Sequence, residues 1–339
     1  MNNLNYPRLP GTQPLICLIT AVAFALAFSA TSLAASFKDV PSTHPDYVAI
    51  ENLKSLGIIS GYSDGTFKPS QTVNRAEALK MIMNSGNILV AKGLYASGFK
   101  DVGLGDWFAG YVMYGTMKGI VNGNPDGTFA PARTVNKAEF LKILFQTFQI
   151  DLSGHKGLTI SISADTSPAD WFIPYLSYAK AVGIIYPDLN NRLDPGKKLN
   201  RGECADIIYK MYVLKNGGET QKLLSLAESK LVDSIVKINE NNLFAALSDA
   251  NEAAFFSGSA LTRDPNSTVT QAANKIAISF QKLYTAYKAG IENNKDQLRS
   301  LVEESKTLAR EAFNINNSTQ LMADKIIKLG DDLLKNSGM

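Results

Sequence analysis

The sequence predicts a mainly α-helical protein, in which three related repeats are followed by an antiparallel helical bundle. The first observation is a five-residue motif that occurs as VNRAE from Val73, VNKAE from Val135 and LNRGE from Leu199. The second is that this motif disappears after residue 218, where apolar residues continue at helical spacing. Hydrophobic residues make up 45% of the 339 residues, which is enough to form cores for about two domains.

Residues 1–35 predict a secretory signal peptide. Arg8 precedes an apolar run over residues 14–28, and small residues follow at Ala34 and Ala35. A basic start, an apolar centre and a small-residue exit are typical of such signals. The apolar run is only slightly shorter than a membrane span, so an uncleaved anchor is the alternative. Both interpretations predict an exported protein.

Three segments of the chain align with one another without gaps, namely Gly57–Glu77, Gly119–Glu139 and Gly183–Glu203. Each starts with a glycine where a helix C-cap needs a left-handed residue. Each then carries residues that tolerate tight turns, which are Asp64-Gly65, Asp126-Gly127 and Asn190-Asn191. We therefore predict repeats at 36–95, 96–160 and 161–215.

The motif of each repeat predicts the start of a helix. An Asn precedes the apolar-periodic segment and a Glu follows three residues later, which is the spacing of a capping box. The predicted capping pairs are Asn74 with Glu77, Asn136 with Glu139, and Asn200 with Glu203.

Capping does not explain the base between Asn and Glu. Arg75, Lys137 and Arg201 each stand in the first helical turn, where the helix dipole is already positive. A cation repeated three times at this position indicates a recruited anion, such as a carboxylate or a phosphate. The alternative is that the three bases are exposed and solvated.

The stretch FKDVPSTHPDYVAIENLKSLGIISGYSDGTFKPSQTVNRAEALKMI, which starts at Phe37, resembles an S-layer homology (SLH) repeat. The second copy starts at FKDVGLGDWFAGYV and the third at DTSPADWFIPYL, so the resemblance covers residues 37–212. It implies that the repeats pack about a pseudo-threefold axis with a central three-helix core. It also implies non-covalent anchoring to the cell wall through an anionic, often pyruvylated, polysaccharide bound in grooves between repeats.

The resemblance implies particular ligand contacts. It assigns polysaccharide binding to the motif bases Arg75, Lys137 and Arg201. It assigns the same role to the helix-start pairs Asp106-Trp107 and Asp170-Trp171, because an indole offers a flat face to a sugar ring. The alternative is that each Asp caps its helix and each Trp fills the core.

The repeats depart from one another at these positions. Repeat one has His44 and Pro45 in place of Asp-Trp, and repeat three has Pro187 where Gly61 and Gly123 stand. The resemblance places His44, Gly61 and Gly123 among the predicted polysaccharide contacts. His44 has the residue type that titrates near neutral pH. We expect the three grooves to bind unequally, and we favour the sites that use Arg75 and Lys137 over the site that uses Arg201.

Residues 219–339 predict the helical bundle, and they resemble no family that we recognise. Apolar stripes at helical spacing include Leu223 to Ile238, Ile276 to Tyr287, Leu298 to Ala312 and Ile326 to Leu333. Breaks are predicted at INENN, SGSALTRDPNST and NINNST. Short turns of this kind favour antiparallel neighbours, and we interpret the stripes as core rather than as a docking surface.

The composition excludes several kinds of site. Net charge is only +3, with no concentrated basic face for nucleic acid. Outside the predicted signal the one cysteine is Cys204, which we interpret as buried and structural rather than reactive. With only His44 and His155 and no metal-type spacing, we predict no metal and no cofactor.

Three functions are compatible with these features. The first is a non-catalytic cell-envelope protein, anchored by the repeats to a wall polysaccharide and displaying the bundle to an unknown protein partner. The second is a wall-active enzyme that carries the same anchor. The third is a small lattice subunit that assembles through the bundle. We favour the first, because no nucleophile motif or paired catalytic carboxylates can be identified.

Overall fold

The computed structural model describes residues 36–91, 93, 95–217 and 219–339, and these fall into two compact units. One unit ends at Lys215 and the other begins at Asn216. The predicted signal peptide, residues 1–35, lies outside the described residues. Within the described ranges, no helix is both long and apolar enough to cross a membrane.

The repeat unit contains two helices in each repeat. In chain order these are α1 (Tyr47–Ser55), α2 (Arg75–Ser85), α3 (Ala109–Met117), α4 (Lys137–Thr147), α5 (Ile173–Ala181) and α6 (Arg201–Asn216). A short 3-10 turn, Ser153–His155, lies between α4 and α5. Isolated β-bridges occur in this unit, but the described residues form no strand. The mainly α-helical prediction is therefore confirmed.

Extended segments before the motifs join the three repeats into a closed ring. The backbone N–H of Val73 donates to the carbonyl of Leu199 at 3.0 Å, that of Val135 to Val73 at 3.2 Å, and that of Leu199 to Val135 at 3.4 Å. Each repeat thus donates to one neighbour and accepts from the other. This cyclic pattern gives the repeats a pseudo-threefold relation, and α2, α4 and α6 all start from the ring.

A carboxylate near the start of each repeat fixes the returning chain. Asp39 accepts hydrogen bonds from the N–H groups of Phe67 and Lys68, at 2.8 and 2.7 Å. Asp101 and Asp165 accept equivalent pairs in the other two repeats. These bonds hold Lys68 at a φ of 58°, a left-handed conformation that residues other than glycine rarely adopt.

The core of the repeat unit is apolar and partly aromatic. The rings of Phe67 and Phe129 are fully buried, and their centroids lie 5.3 Å from Phe37 and 5.6 Å from Phe99, respectively. Cys204 is buried in α6, as predicted, and desolvation raises the pKa of its thiol well above the ordinary value. A thiol held protonated in the core is unreactive.

The second unit is a series of five long helices. They are α7 (Thr220–Asn239), α8 (Leu243–Arg263), α9 (Thr268–Ile291), α10 (Lys295–Ile315) and α11 (Gln320–Asn336), with a 3-10 turn at Asn317–Thr319. Each packs against the next along the chain. The ion pairs Lys275–Glu311 and Lys282–Glu304, both at 2.7 Å, show that α9 and α10 run antiparallel, because the numbers rise in one helix as they fall in the other.

One predicted break is shorter than expected. The sequence SGSALTRDPNST starts at Ser257, yet α8 continues to Arg263. The hydroxyls of Ser257 and Ser259 donate to carbonyls one turn back, at 2.7 and 2.9 Å, so these polar residues are satisfied inside the helix. Only residues 264–267 separate α8 from α9.

Candidate functional site

The three motif bases point toward the neighbouring repeat. Arg201 donates from Nε to the carbonyl of Phe67 at 2.8 Å and from Nη2 to that of Ser60 at 3.1 Å. Arg75 donates from Nη2 to the carbonyl of Asn122 at 2.6 Å, and Lys137 donates from Nζ to that of Leu193 at 2.5 Å. The bases therefore connect repeat three to one, one to two, and two to three.

These bases are more enclosed than a solvated surface cation. Arg201 is only 8% exposed, and its guanidinium lies 4.5 Å from the ring centroid of Phe67. Desolvation lowers the pKa of Arg75, and Arg133 nearby adds to the effect. Desolvation, followed by the charge of Lys197, likewise lowers the pKa of Lys137. Backbone carbonyls, rather than carboxylates, receive these hydrogen bonds.

A groove of about 320 Å³ lies where repeats one, two and three meet. This first groove is lined by residues 58–62, Glu77, Lys80, Met81, Asn84, Trp107 and Arg201. It brings together three predicted ligand contacts, namely Arg201, Gly61 and Trp107. Arg201 forms part of the wall of the first groove through its hydrogen bonds to the carbonyls of Ser60 and Phe67. Trp107 provides the aromatic surface of the groove, and Lys80 provides its cation.

Lys80 and Trp107 form the most ligand-like feature of the first groove. The Nζ atom of Lys80 lies 5.3 Å from the indole centroid, and Trp107 is 54% exposed. Lys80 makes no ion pair with any residue that the structure describes. A cation that lies over a half-exposed indole suits a sugar ring that carries a negative group.

The same pair recurs one repeat further on. Lys142 lies 5.4 Å from the indole centroid of Trp171, which is also 54% exposed. This second groove is defined by the equivalent residues, which are 120–124, Glu139, Lys142, Ile143, Gln146, Trp171 and Arg75. Two buried polar atoms there, Arg75 Nε and Gln146 Oε1, have no hydrogen-bond partner in the described part of the chain. Such atoms favour a polar ligand.

Glycine is required beside each of these grooves. A Cβ atom added to Gly61 would lie 2.3 Å from the ring of Phe37 and 2.6 Å from the carbonyl of Thr66. One added to Gly123 would lie 2.0 Å from the ring of Phe99. The two glycines therefore allow an aromatic ring to pack directly against the groove wall, which is a structural requirement beside any contact with ligand.

The acidic partners of the tryptophans stabilise the turns that precede α3 and α5, and neither caps its helix as the alternative interpretation predicted. Asp106 accepts from the N–H of Gly103, and Asp170 accepts from the N–H of Ser167, both at 2.7 Å. His44 occupies the equivalent place in repeat one, where its Nδ1 accepts from the N–H of Asp46 at 3.1 Å. Desolvation lowers the pKa of His44, against an opposing effect of Asp39. These side chains are used in the turns that place α1, α3 and α5.

The capping pairs make reciprocal hydrogen bonds. Asn74 accepts from the N–H of Glu77, and Glu77 accepts from the N–H of Asn74, both at 2.9 Å. The same two bonds occur between Asn136 and Glu139 and between Asn200 and Glu203. The Asn and Glu of the motif therefore start α2, α4 and α6.

The cyclic connection changes which base belongs to which groove. Repeat three has Pro187 in place of the glycine, and on this ground the sequence favours the sites of Arg75 and Lys137 over that of Arg201. In the structure Arg201 instead borders Gly61 and Trp107 of the other repeats. Lys137 donates to the carbonyl of Leu193 in repeat three, which is the repeat that carries Pro187. Linear order could not show that each base serves the neighbouring repeat.

Lys80 and Lys142 were missed in the sequence analysis. Both stand three residues after the motif Glu, and extending the repeat alignment by one helical turn would have found them. In the described residues, no group of His, Cys, Asp or Glu has the arrangement of a metal site.

Comparison with known proteins supports the repeat assignment. The family model described as the S-layer homology domain matches residues 36–79 and 98–141, which lie in the first two predicted repeats. The SLH resemblance is confirmed for these two segments. The third repeat remains a prediction as a family member, although it makes the same ring contacts.

Several relatives share only part of their length with this chain. An amylopullulanase from Thermoanaerobacterium thermosulfurigenes is 33% identical over 47% of the chain and 8% of the relative. A surface-layer 125 kDa protein from Lysinibacillus sphaericus is 29% identical over 60% of the chain and 16% of the relative. A cellulosome-anchoring protein from Acetivibrio thermocellus is 27% identical over 44% of the chain and 34% of the relative. The chain thus spans a minor part of these proteins.

Proposed function

We propose that the protein is held at the cell surface by its repeats, which bind an anionic polysaccharide of the cell wall in the first and second grooves. The SLH match indicates a secreted protein of the cell surface or wall. The observation that carries the proposal is the lysine–indole pair, found at 5.3 Å in one groove and 5.4 Å in the other. The motif bases at these grooves, Arg201 and Arg75, are instead bonded to backbone carbonyls of the neighbouring repeat.

The chemistry of the pair defines the ligand class. The exposed part of an indole binds the apolar face of a pyranose, and an ammonium that contacts the ring but forms no ion pair binds a carboxylate or phosphate on the same sugar. A pyruvyl ketal, a phosphate and a peptidoglycan carboxylate all meet this requirement. The enclosed motif bases contribute positive potential while they hold the repeats together.

We propose a non-catalytic role for residues 219–339, as a module displayed by the anchor. Surface-layer and anchoring proteins are among the relatives, and the enzyme relatives match only the repeat region. The inward carboxylates of the bundle, Asp249 and Glu252, pair with Lys230 at 3.5 and 2.6 Å. This arrangement is that of a structural ion pair between α7 and α8 rather than of an open acid–base pair.

Co-sedimentation with sacculi from the producing bacterium tests the proposed anchor. We expect the purified protein to pellet with sacculi, and the double variant Lys80→Ala/Lys142→Ala to lose at least tenfold in affinity. The matched control is Lys222→Ala/Lys335→Ala, which removes the same charge from exposed positions of the bundle. Equal binding by both double variants would contradict the proposal, as would failure of the unchanged protein to bind.

A further inference from the structure

We propose that the protein has two polysaccharide sites rather than three, because the third inter-repeat boundary lacks the lysine–indole pair of the other two. This inference rests on the proposed function and specifies its number of sites. The third groove is defined by the positions equivalent to those of the other two. It keeps a motif base, Lys137, but five further positions carry Tyr186, Pro187, Asp206, Lys210 and Pro45. Each of these differs in character from its counterparts.

An acidic residue replaces the groove lysine in the third groove. Asp206 stands three residues after Glu203, where Lys80 and Lys142 stand after Glu77 and Glu139. Asp206 pairs with Lys210 at 2.8 Å, and the Lys210 side chain is only 3% exposed. The Lys210 ammonium also lies 5.6 Å from the ring of Tyr186. The ammonium of Lys210 is therefore already neutralised and covered, and the motif base of this boundary, Lys137, donates to the carbonyl of Leu193.

The wall of the third groove is also filled differently. Pro187 replaces Gly61 and Gly123, and Ser163 replaces the phenylalanines that pack against those glycines. Ser163 is buried and donates to Asp165 at 2.8 Å. A small buried serine leaves room for the proline ring, so this boundary keeps the fold while it loses the glycine-lined surface of the first and second grooves.

An internal carboxylate occupies the start of α6. Gly202 stands where α2 and α4 have alanine, and a Cβ atom on Gly202 would lie 2.2 Å from Oδ2 of Asp46. Asp46 follows Pro45, which replaces the groove tryptophan. The third boundary thus has Pro45 and Asp206 where the other two grooves have an indole and a lysine, so it lacks the pair that we propose binds an anionic sugar.

Two equivalent sites on one rigid ring predict avidity for a polymer. When one groove holds a wall polysaccharide, the second binding event becomes intramolecular and is favoured by a high effective concentration. Short fragments that reach one groove at a time gain nothing from the second groove. Binding of short fragments therefore counts the sites, whereas the affinity for the polymer measures the avidity of the two sites together.

Calorimetry with short soluble fragments of the wall polysaccharide, released from the same sacculi, counts the sites. We expect two sites in the unchanged protein, one in Lys80→Ala, one in Lys142→Ala and none in the double variant. Asp206→Ala, the control at the third boundary, keeps two sites. On intact sacculi, each single variant is expected to bind at least tenfold more weakly than the unchanged protein, because avidity is lost.

The outcomes separate this inference from the proposed function. Three sites, or one site that survives in the double variant, would overturn the two-site inference and leave wall anchoring intact. Loss of all binding in either single variant would also overturn it, since the grooves would then not act independently. No binding by the unchanged protein would overturn both the inference and the proposed function.

Discussion

Truncation of a motif base should destabilise the repeat unit, whereas truncation of a groove lysine should not. Arg201 is the strongest example, because its guanidinium connects repeat three to repeat one through two carbonyls at 2.8 and 3.1 Å. It also lies against two rings, with centroid distances of 4.5 Å to Phe67 and 5.1 Å to Tyr62. Arg201→Ala removes all four contacts and leaves two carbonyls without these partners.

The expected loss can be worked out from these contacts. Hydrogen bonds from a charged donor contribute about 1.5–3 kcal/mol each, and Arg201→Ala removes the two that reach Phe67 and Ser60. We therefore expect Arg201→Ala to lower the free energy of unfolding by about 3–5 kcal/mol. For a unit of this size, that corresponds to a Tm lower by roughly 6–20 °C. Lys80→Ala, which removes the same charge from the groove, should change stability by less than about 0.5 kcal/mol.

Urea unfolding followed by tryptophan fluorescence measures this difference. The chain has two tryptophans, Trp107 and Trp171, and both lie in the repeat unit, so the signal reports that unit and not the bundle. The two variants and the unchanged protein are compared by their midpoints at constant slope.

Equal midpoints for Arg201→Ala and Lys80→Ala would refute the proposed structural role of the base. Normal stability of Arg201→Ala together with lost sacculi binding would instead make Arg201 a direct ligand contact, as the SLH resemblance implies.

Three further predictions concern the cap, the thiol and the bundle. Asn136→Ala should lower the free energy of unfolding by about 1 kcal/mol, measured by the same fluorescence assay, because an N-cap bond is lost. Cys204 should react with iodoacetamide only after denaturation, as judged by peptide mass spectrometry, since burial raises the pKa of its thiol. Burial raises the pKa of Asp249 to about 6 despite Lys230, so the folded bundle keeps a proton that the unfolded chain releases above its ordinary pKa of 3.8. Asp249 should therefore make the bundle more stable as pH falls from 7.5 to 5.5, and Asp249→Asn should remove this contribution in circular dichroism melts.

Much of the fold could be predicted because its signals are local. The capping pairs, such as Asn136 with Glu139, depend on a spacing of three residues. Turn residues with positive φ, such as Gly65 and Asn191, are recognisable by residue type alone. Helical spacing of apolar residues likewise predicts the bundle, whose stripes the structure places between neighbouring helices.

The features that escaped prediction depend on contacts between distant parts of the chain. Asp39 fixes the backbone at Phe67 and Lys68, and no local pattern links a carboxylate to N–H groups so far along the sequence. The partner of each motif base also lies in another repeat. Its groove assignment therefore needs the ring closure, which only the folded structure shows.

The predicted break before α9 starts at Ser257, six residues before α8 ends, and contacts between helices again explain the difference. Ser, Gly and Thr are common in loops, and the segment from Ser257 contains all three. Inside α8 the hydroxyls of Ser257 and Thr262 donate to carbonyls of the preceding turn, and Ala260 packs in the core. Tertiary burial therefore outweighs weak helix propensity here.

A fluorescence titration with soluble wall polysaccharide tests the central claim most directly, because the two tryptophans of the chain lie in the two grooves. The account predicts that the polysaccharide shifts or quenches their emission. It also predicts that Lys80→Ala/Lys142→Ala abolishes both this change and binding. Polysaccharide that binds, as judged by co-sedimentation, while the emission of Trp107 and Trp171 stays unchanged would contradict it and place the site outside the grooves.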